Sequence, residues 1–155
     1  MLKFEHLYDP DRTAAEIFRI LKPGGRLVLH TTFLQPLHKP PHHYYNVTEY
    51  GLRRWFRAFE IAGVSVSENF HQAHVIAWLA SDLLRAVAAA HGVEARNRLA
   101  ASSLDFWRSS WQDAAGREHP LWDLLRRLHR DDQMRYAAGF QLDARKPAAA
   151  QSTPA

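Results

Sequence analysis

Cysteine is absent from this chain, which excludes disulfides, thiolate metal sites, iron–sulfur clusters and cysteine nucleophiles. Glycine is scarce and spaced against one common use. The seven glycines stand at positions 24, 25, 51, 63, 92, 116 and 139, with no two spaced as G-x-G, so no loop can cradle a nucleotide or nucleoside in the usual glycine-rich way. Charge of one sign is also in short supply. The 20 Lys and Arg against 16 Asp and Glu leave a net charge of +4, an excess too small to define a nucleic-acid surface. The basic pairs Arg53–Arg54 and Arg126–Arg127 fall where a helix shows them to water. Long apolar runs are missing too. The most apolar stretch, Ala73 to Ala90, is interrupted by Ser81, Asp82 and Arg85 and falls short of the ~18 uninterrupted apolar residues of a membrane span. One Lys near the start precedes no secretory apolar run. These deficits predict a soluble cytoplasmic protein with no membrane and no nucleic-acid partner.

What is present is ordinary globular material. The 155 residues are 46% hydrophobic and 23% charged, a length that as a prior means one domain and a composition too apolar for disorder. Asp9-Pro10 is a strong helix start, because Asp accepts first-turn amide hydrogens and Pro suits the first helical position. Ala14, Ile17, Phe18 and Leu21 follow at helical spacing, and Lys22-Pro23-Gly24-Gly25 stops the helix. The apolar run from Arg26 to Phe33 reads as a strand buried on both faces. Leu34 to Asn46 holds three prolines, three histidines and two tyrosines without a period, which makes it a loop that packs over something. Thr48 can cap a helix with Leu52, Trp55, Phe56 and Phe59 on one face, ended by Gly63. Val64 to Phe70 then alternates as a half-exposed strand does.

The second half reads as helical. Ile76, Leu79, Leu83, Val87 and Ala90 form one stripe, two further helices cover about 94–112 and 120–129, and Pro120 suits a first turn. Trp107, Trp111 and Trp122, with Phe106, recur at near-helical spacing and read chiefly as packing. The alternation from Tyr136 to Ala144 predicts a last strand, and the Ala, Ser, Thr and Pro of 148–155 predict a disordered tail. With a strand stub at Leu2–Phe4, the order is that of an α/β fold with a small, mainly parallel sheet. Such a sheet leaves an open edge.

Several segments together resemble the class I S-adenosylmethionine-dependent methyltransferases of the type 11 group. Leu2 to Pro10, with Glu5-His6 and Asp9-Pro10, is similar to the L-E-H-V-x-D-P that follows that family's fourth strand. Ala15 to Leu27 resembles its next helix, K-P-G-G turn and fifth strand. Phe33 to Arg53 is similar to a subgroup pattern, P-F-x-x-P-x-H-x-x-P-H-D-Y-x-R-x-T-x-x-G-L, with two departures: His43 stands where Asp is usual and Asn46 where Arg is usual. Ala137 to Pro147 resembles the last strand. The resemblance implies the second half of a Rossmann-like sheet, its last strands only. Residues 1–72 and 134–147 would belong to that domain, 73–133 would be a helical insertion before the final strand, and 148–155 the tail. The absent G-x-G then implies that the cofactor-receiving half is missing, and that this chain alone does not bind the cofactor.

The resemblance also assigns roles. It implies transfer of a methyl group from S-adenosylmethionine to a small-molecule acceptor, with Glu5 and His6 on the cofactor side. His38 or His42 would be the base or acceptor-orienting group, and Phe33, Tyr44 and Tyr45 the substrate wall. Donor activation leaves proximity and orientation as the main work, with a base needed only where the acceptor holds its proton. The loop histidines His38, His42 and His43 lack a helical i, i+4 frame, an adjacent carboxylate ligand and cysteines, so no metal is expected. A substrate-facing lid is the stronger reading of that loop. His71 and His74 read as structural. A different class of function remains open: a non-enzymatic remnant or interaction module that pairs through the open sheet edge with a second copy or with the missing half.

Overall fold

The chain is described by a computed structural model over residues 3–66 and 68–141. The first helix, α1 (Pro10–Ile20), starts as its chemistry dictates: the Asp9 carboxylate accepts the Arg12 amide hydrogen at 2.9 Å and Pro10 takes the first helical position. The helix stops at Leu21, and Gly24 turns the chain with a positive φ of 74°, a conformation that favours glycine because a Cβ would clash. The second helix, α2 (Glu49–Trp55), is capped by the Thr48 hydroxyl, which accepts the Gly51 amide hydrogen at 3.1 Å. Both caps satisfy helix-end donors that would otherwise lack partners.

Around these two helices lies the first core. Phe4, Ala14, Trp55 and Phe56 are buried together, with Ile17, Leu27, Leu29 and Leu52 packed against them. Phe4 sits at its centre, 1% exposed, with ring centroids 5.1 Å from Phe56 and 6.1 Å from Trp55.

The expected α/β sheet is overturned. Among the described residues there is no β-strand. Phe4–His6 is a 3-10 turn and not a strand stub. Residues 26–33 are irregular, and the only main-chain hydrogen bond that ties them to another described segment is Val47 N–H to Thr32 O at 3.0 Å. Residues 64–66 are likewise irregular, and Glu68–Phe70 is a 3-10 turn. The expected last strand begins inside a helix at Tyr136, continues irregularly from 137 to 141, and its remainder lies outside the described residues, as do Leu2 and the expected tail. The physical reason is pairing. A strand exists only where a neighbouring strand takes its N–H and C=O groups, and among the described residues the apolar run at 26–33 has no such neighbour: a single main-chain hydrogen bond ties it to another segment, and Val28 is 65% exposed. Among the described residues there is therefore no open sheet edge. Between 24–35 and 59–66 there remains a groove of about 890 Å³, floored in part by Phe56, Val75 and Trp78.

The rest of the described chain is helical. A long helix, α3 (Gln72–Ala100), is broken at Gly92, whose φ of 87° and ψ of 174° are not helical. It is followed by α4 (Leu104–Gln112), α5 (Pro120–Arg126) and α6 (Arg130–Tyr136). Ser103 caps α4, its hydroxyl accepting from Phe106 N–H at 3.0 Å, and Pro120 takes the first position of α5. A second core forms from Ala86, Val87, Ala95, Leu99 and Leu128, with Trp107, Leu124, Leu125 and Tyr136 against it. Trp107 and Trp122 lie 5.6 Å apart, and their indole N–H groups donate to Ser102 Oγ at 2.9 Å and Ser110 Oγ at 3.0 Å, the satisfied packing expected of tryptophan. Trp111 stands apart, 64% exposed.

One sequence expectation changes here. By length and composition alone α3 is long and apolar enough to cross a membrane. The same helix meets other helices of this chain: Ala86 and Val87 are buried in the second core, Arg85 donates to the Tyr136 hydroxyl at 3.0 Å, and the His91 ring donates to Leu124 O at 2.9 Å.

Two substitutions test the arrangement. Phe4→Ala is expected to cost about 3–5 kcal/mol, as for a large aromatic removed from a core. Val28→Lys is expected to change stability by no more than about 0.5 kcal/mol, as for an exposed site; a Val in the middle of a buried strand would cost far more. Urea unfolding followed by circular dichroism reads both.

Candidate functional site

The site is built where the loop of 34–46 returns to the 3-10 turn at Phe4–His6. The Glu5 main-chain carbonyl accepts two amide hydrogens from that loop, Tyr44 N–H at 2.8 Å and Tyr45 N–H at 3.3 Å. Farther along, Val47 N–H reaches Thr32 O. At the other end of the loop Leu37 is held from both sides: its N–H donates to Arg135 O at 3.0 Å, and its carbonyl accepts from Arg135 Nε at 3.1 Å. A loop without a period needs partners for its main-chain groups from elsewhere, and here they come from Glu5, Thr32 and α6.

These anchors bring some of the expected site residues together and separate others. Glu5 is 2% exposed, and its carboxylate accepts a long bond from the Thr31 hydroxyl at 3.4 Å. His6 donates from Nδ1 to the His42 carbonyl at 2.6 Å. His38 donates from Nδ1 to the Pro36 carbonyl at 3.1 Å. The rings of His6 and His38 meet edge to face at 4.9 Å, so the expected cofactor-side pair and one expected catalytic histidine share a cluster. The His42 ring lies outside it, exposed and 3.1 Å from the Tyr44 hydroxyl. Tyr45 packs edge-on against Trp55 at 5.4 Å and donates to Tyr8 O at 3.3 Å. Phe33 does not join the tyrosines: it is 54% exposed and lines the groove between 24–35 and 59–66.

His43 is the residue whose place in the cluster the sequence did not reveal. Its ring centroid is 4.2 Å from that of His38, and its Nδ1 accepts the His38 amide hydrogen at 3.2 Å. Nε2 therefore carries the hydrogen and donates to Asn46 Oδ1 at 3.2 Å. Asn46 Oδ1 also accepts from the buried Thr32 hydroxyl at 3.2 Å, and its amide donates to Gln35 O at 3.0 Å. Burial, and then the neighbouring His38, hold the His43 imidazole below the usual histidine range. The two departures from the family pattern thus fall on residues that pair with each other as a neutral hydrogen bond. Their coincidence in the sequence was the available signal.

With this geometry in view, the comparisons with known proteins place part of the chain. Residues 1–29 match a family model described as a methyltransferase domain. That stretch is similar to methyltransferases, a family that generally uses S-adenosylmethionine. It holds the turn with Glu5 and His6, α1, the Lys22-Pro23-Gly24-Gly25 stop and the start of the irregular segment. No curated protein and no solved structure matches the chain.

The glycines of this chain differ in the space around them. The nucleoside half of S-adenosylmethionine calls for a close main-chain approach of the kind glycine permits. Here a side chain at Gly25 would meet Leu21, at Gly51 Val47 and at Gly116 Ser110, whereas Gly24 and Gly63, which line the groove between 24–35 and 59–66, have open space at that position.

The His43–Asn46 pair can be tested by a double-mutant cycle. Asn46→Ala strands the buried Thr32 hydroxyl and is expected to cost about 1–3 kcal/mol. His43→Asp and Asn46→Arg are each expected to destabilise alone. Combined, they are expected to recover part of the loss through a favourable coupling of about 0.5–3 kcal/mol, measured by chemical unfolding.

Proposed function

We propose that these residues form the acceptor-facing part of a methyltransferase that passes the methyl group of S-adenosylmethionine to a small molecule. The observation that supports this reading is a continuity. The methyltransferase-like stretch at 1–29 contains the turn on which the loop of 34–46 closes, through the two amide hydrogens given to Glu5 O. That loop presents an exposed imidazole, His42, hydrogen-bonded to an exposed phenol, Tyr44. Tyr8 stands edge-on to Tyr44 at 5.8 Å.

In this reading His42 and Tyr44 orient a polar acceptor and take its proton where it has one to lose, since imidazole is the side chain most often used as a general base. Tyr8 and Tyr45 supply aromatic surface beside them. Because the loop is tied at Leu37, Tyr44, Tyr45 and Val47, the dyad is held rather than recruited, which limits the entropy lost when an acceptor binds. On this reading the nucleoside-binding part is contributed by other residues.

Titrating the chain with S-adenosylmethionine in a calorimeter is expected to give no binding in the micromolar range, and micromolar binding would sink the division of labour. The coding sequence before Met1 is the second check, where an in-frame strand followed by G-x-G is the expected companion. In the polypeptide that carries it, His42→Ala is expected to lower methyl transfer by about 100-fold while leaving cofactor affinity unchanged. Equal activity of that variant would remove His42 from the mechanism.

A further inference from the structure

Two segments remote in sequence turn metal-binding atoms toward one point. One ligand atom from each of Glu5, His6 and His38 lies within 4.8 Å of the others. The tautomers follow from the partners. Each Nδ1 faces a main-chain carbonyl, His42 O for His6 and Pro36 O for His38. A carbonyl only accepts, so Nδ1 bears the hydrogen and Nε2 of the neutral ring is left with a lone pair. Both Nε2 atoms are buried and have no hydrogen-bond partner.

The carboxylate beside them deepens the problem. Glu5 is buried, and its Oε1 is 3.9 Å from His6 Nε2, too far for a hydrogen bond. The Thr31 hydroxyl at 3.4 Å is its one side-chain donor among the described residues. Two nitrogen lone pairs and a buried anion therefore converge with no cationic side chain among them. Such a group is costly unless a cation completes it.

We propose that Glu5, His6 and His38 bind one divalent transition-metal ion of the zinc class. Two imidazole nitrogens and a carboxylate are the donor set of open zinc sites, whereas magnesium and calcium call for oxygen donors throughout. The two Nδ1–H groups held by carbonyls are the arrangement that fixes ring orientation and tautomer in ligating histidines. Ligand atoms on one tetrahedral ion stand about 3.4 Å apart for bonds of about 2.0–2.1 Å, so the cluster closes by about 1.4 Å or less on binding. Three protein ligands leave a fourth position for water or an oxygen of a bound molecule. The loop histidines alone lacked a carboxylate; Glu5, from the turn on which the loop closes, supplies it. The proposal does not rest on the methyl-transfer reading.

Zinc titration of the chelator-stripped chain tests it. The expected result is one ion per chain, a melting temperature raised by zinc, and affinity weakened by about 100-fold or more in His38→Gln, since even outer partners of a metal site are worth 10- to 100-fold. His74→Gln is the control, because His71 and His74 are another close imidazole pair, at 4.3 Å; it is expected to bind zinc unchanged. Nitrogen-15 NMR of the unmutated chain keeps the test decisive if His38→Gln does not fold: zinc is expected to shift Nε2 of His6 and His38. Absence of zinc binding, binding that survives His38→Gln or is lost in His74→Gln, or a His6 that stays doubly protonated and blind to zinc would each overturn the proposal. Failure to bind S-adenosylmethionine has no bearing on any of these outcomes.

Discussion

The Glu5 carbonyl oxygen accepts the amide hydrogens of Tyr44 and Tyr45, and most of the candidate site depends on those two bonds. The loop of 34–46 has neither a helical nor a strand period, so none of its main-chain groups is satisfied by regular structure. Docking on Glu5 brings the His42 carbonyl to the His6 ring and sets His38 and His43 against that ring. The same residue carries the buried carboxylate on which the histidines converge. Main chain and side chain of one glutamate thus act on the same loop from two directions, one by ordinary hydrogen bonds and the other by charge.

The two cores are coupled through that loop. Phe4, immediately before Glu5, is fixed by Trp55 and Phe56 in the first core. Arg135, which grips Leu37 through main chain and side chain, belongs to a helix whose Tyr136 packs on the second. The loop therefore spans between two separately packed bodies. Its position is set by both, which gives the helical half of the chain a structural role at the site although none of its side chains enters the histidine cluster.

What the sequence disclosed was local chemistry. Asp9, Thr48 and Pro120 announced helix starts because a cap or a first-turn proline acts within three or four residues of itself, and those starts are where they were expected. The pattern separated a helix at about 94–112 from the stripe before it, and the chain does break at Gly92, but the interruption after Ala100 was not read, because Ser103 as a cap is one serine among several polar residues. The strands failed for the converse reason. An apolar run such as 26–33 states that it is suited to burial, not that a neighbour exists to pair with it. The site was half legible. Glu5 and His6 stood out through a family pattern, while their meeting with His38 depends on a loop closure that no periodicity encodes. The paired departures at His43 and Asn46, three residues apart, were again a local signal.

The groove between 24–35 and 59–66 has a consequence for the protein in solution. Both of its walls carry β-branched and aromatic residues with few main-chain hydrogen bonds among the described residues, and Val28, Phe33 and Val66 are exposed along them. Segments of that kind, uncharged over several residues and without proline, are templates for intermolecular strand addition. From Leu27 to Phe33 the chain carries no Asp, Glu, Lys or Arg to interrupt such growth. An apolar, uncharged stretch exposed in this way is a surface through which copies of the chain can associate as concentration rises.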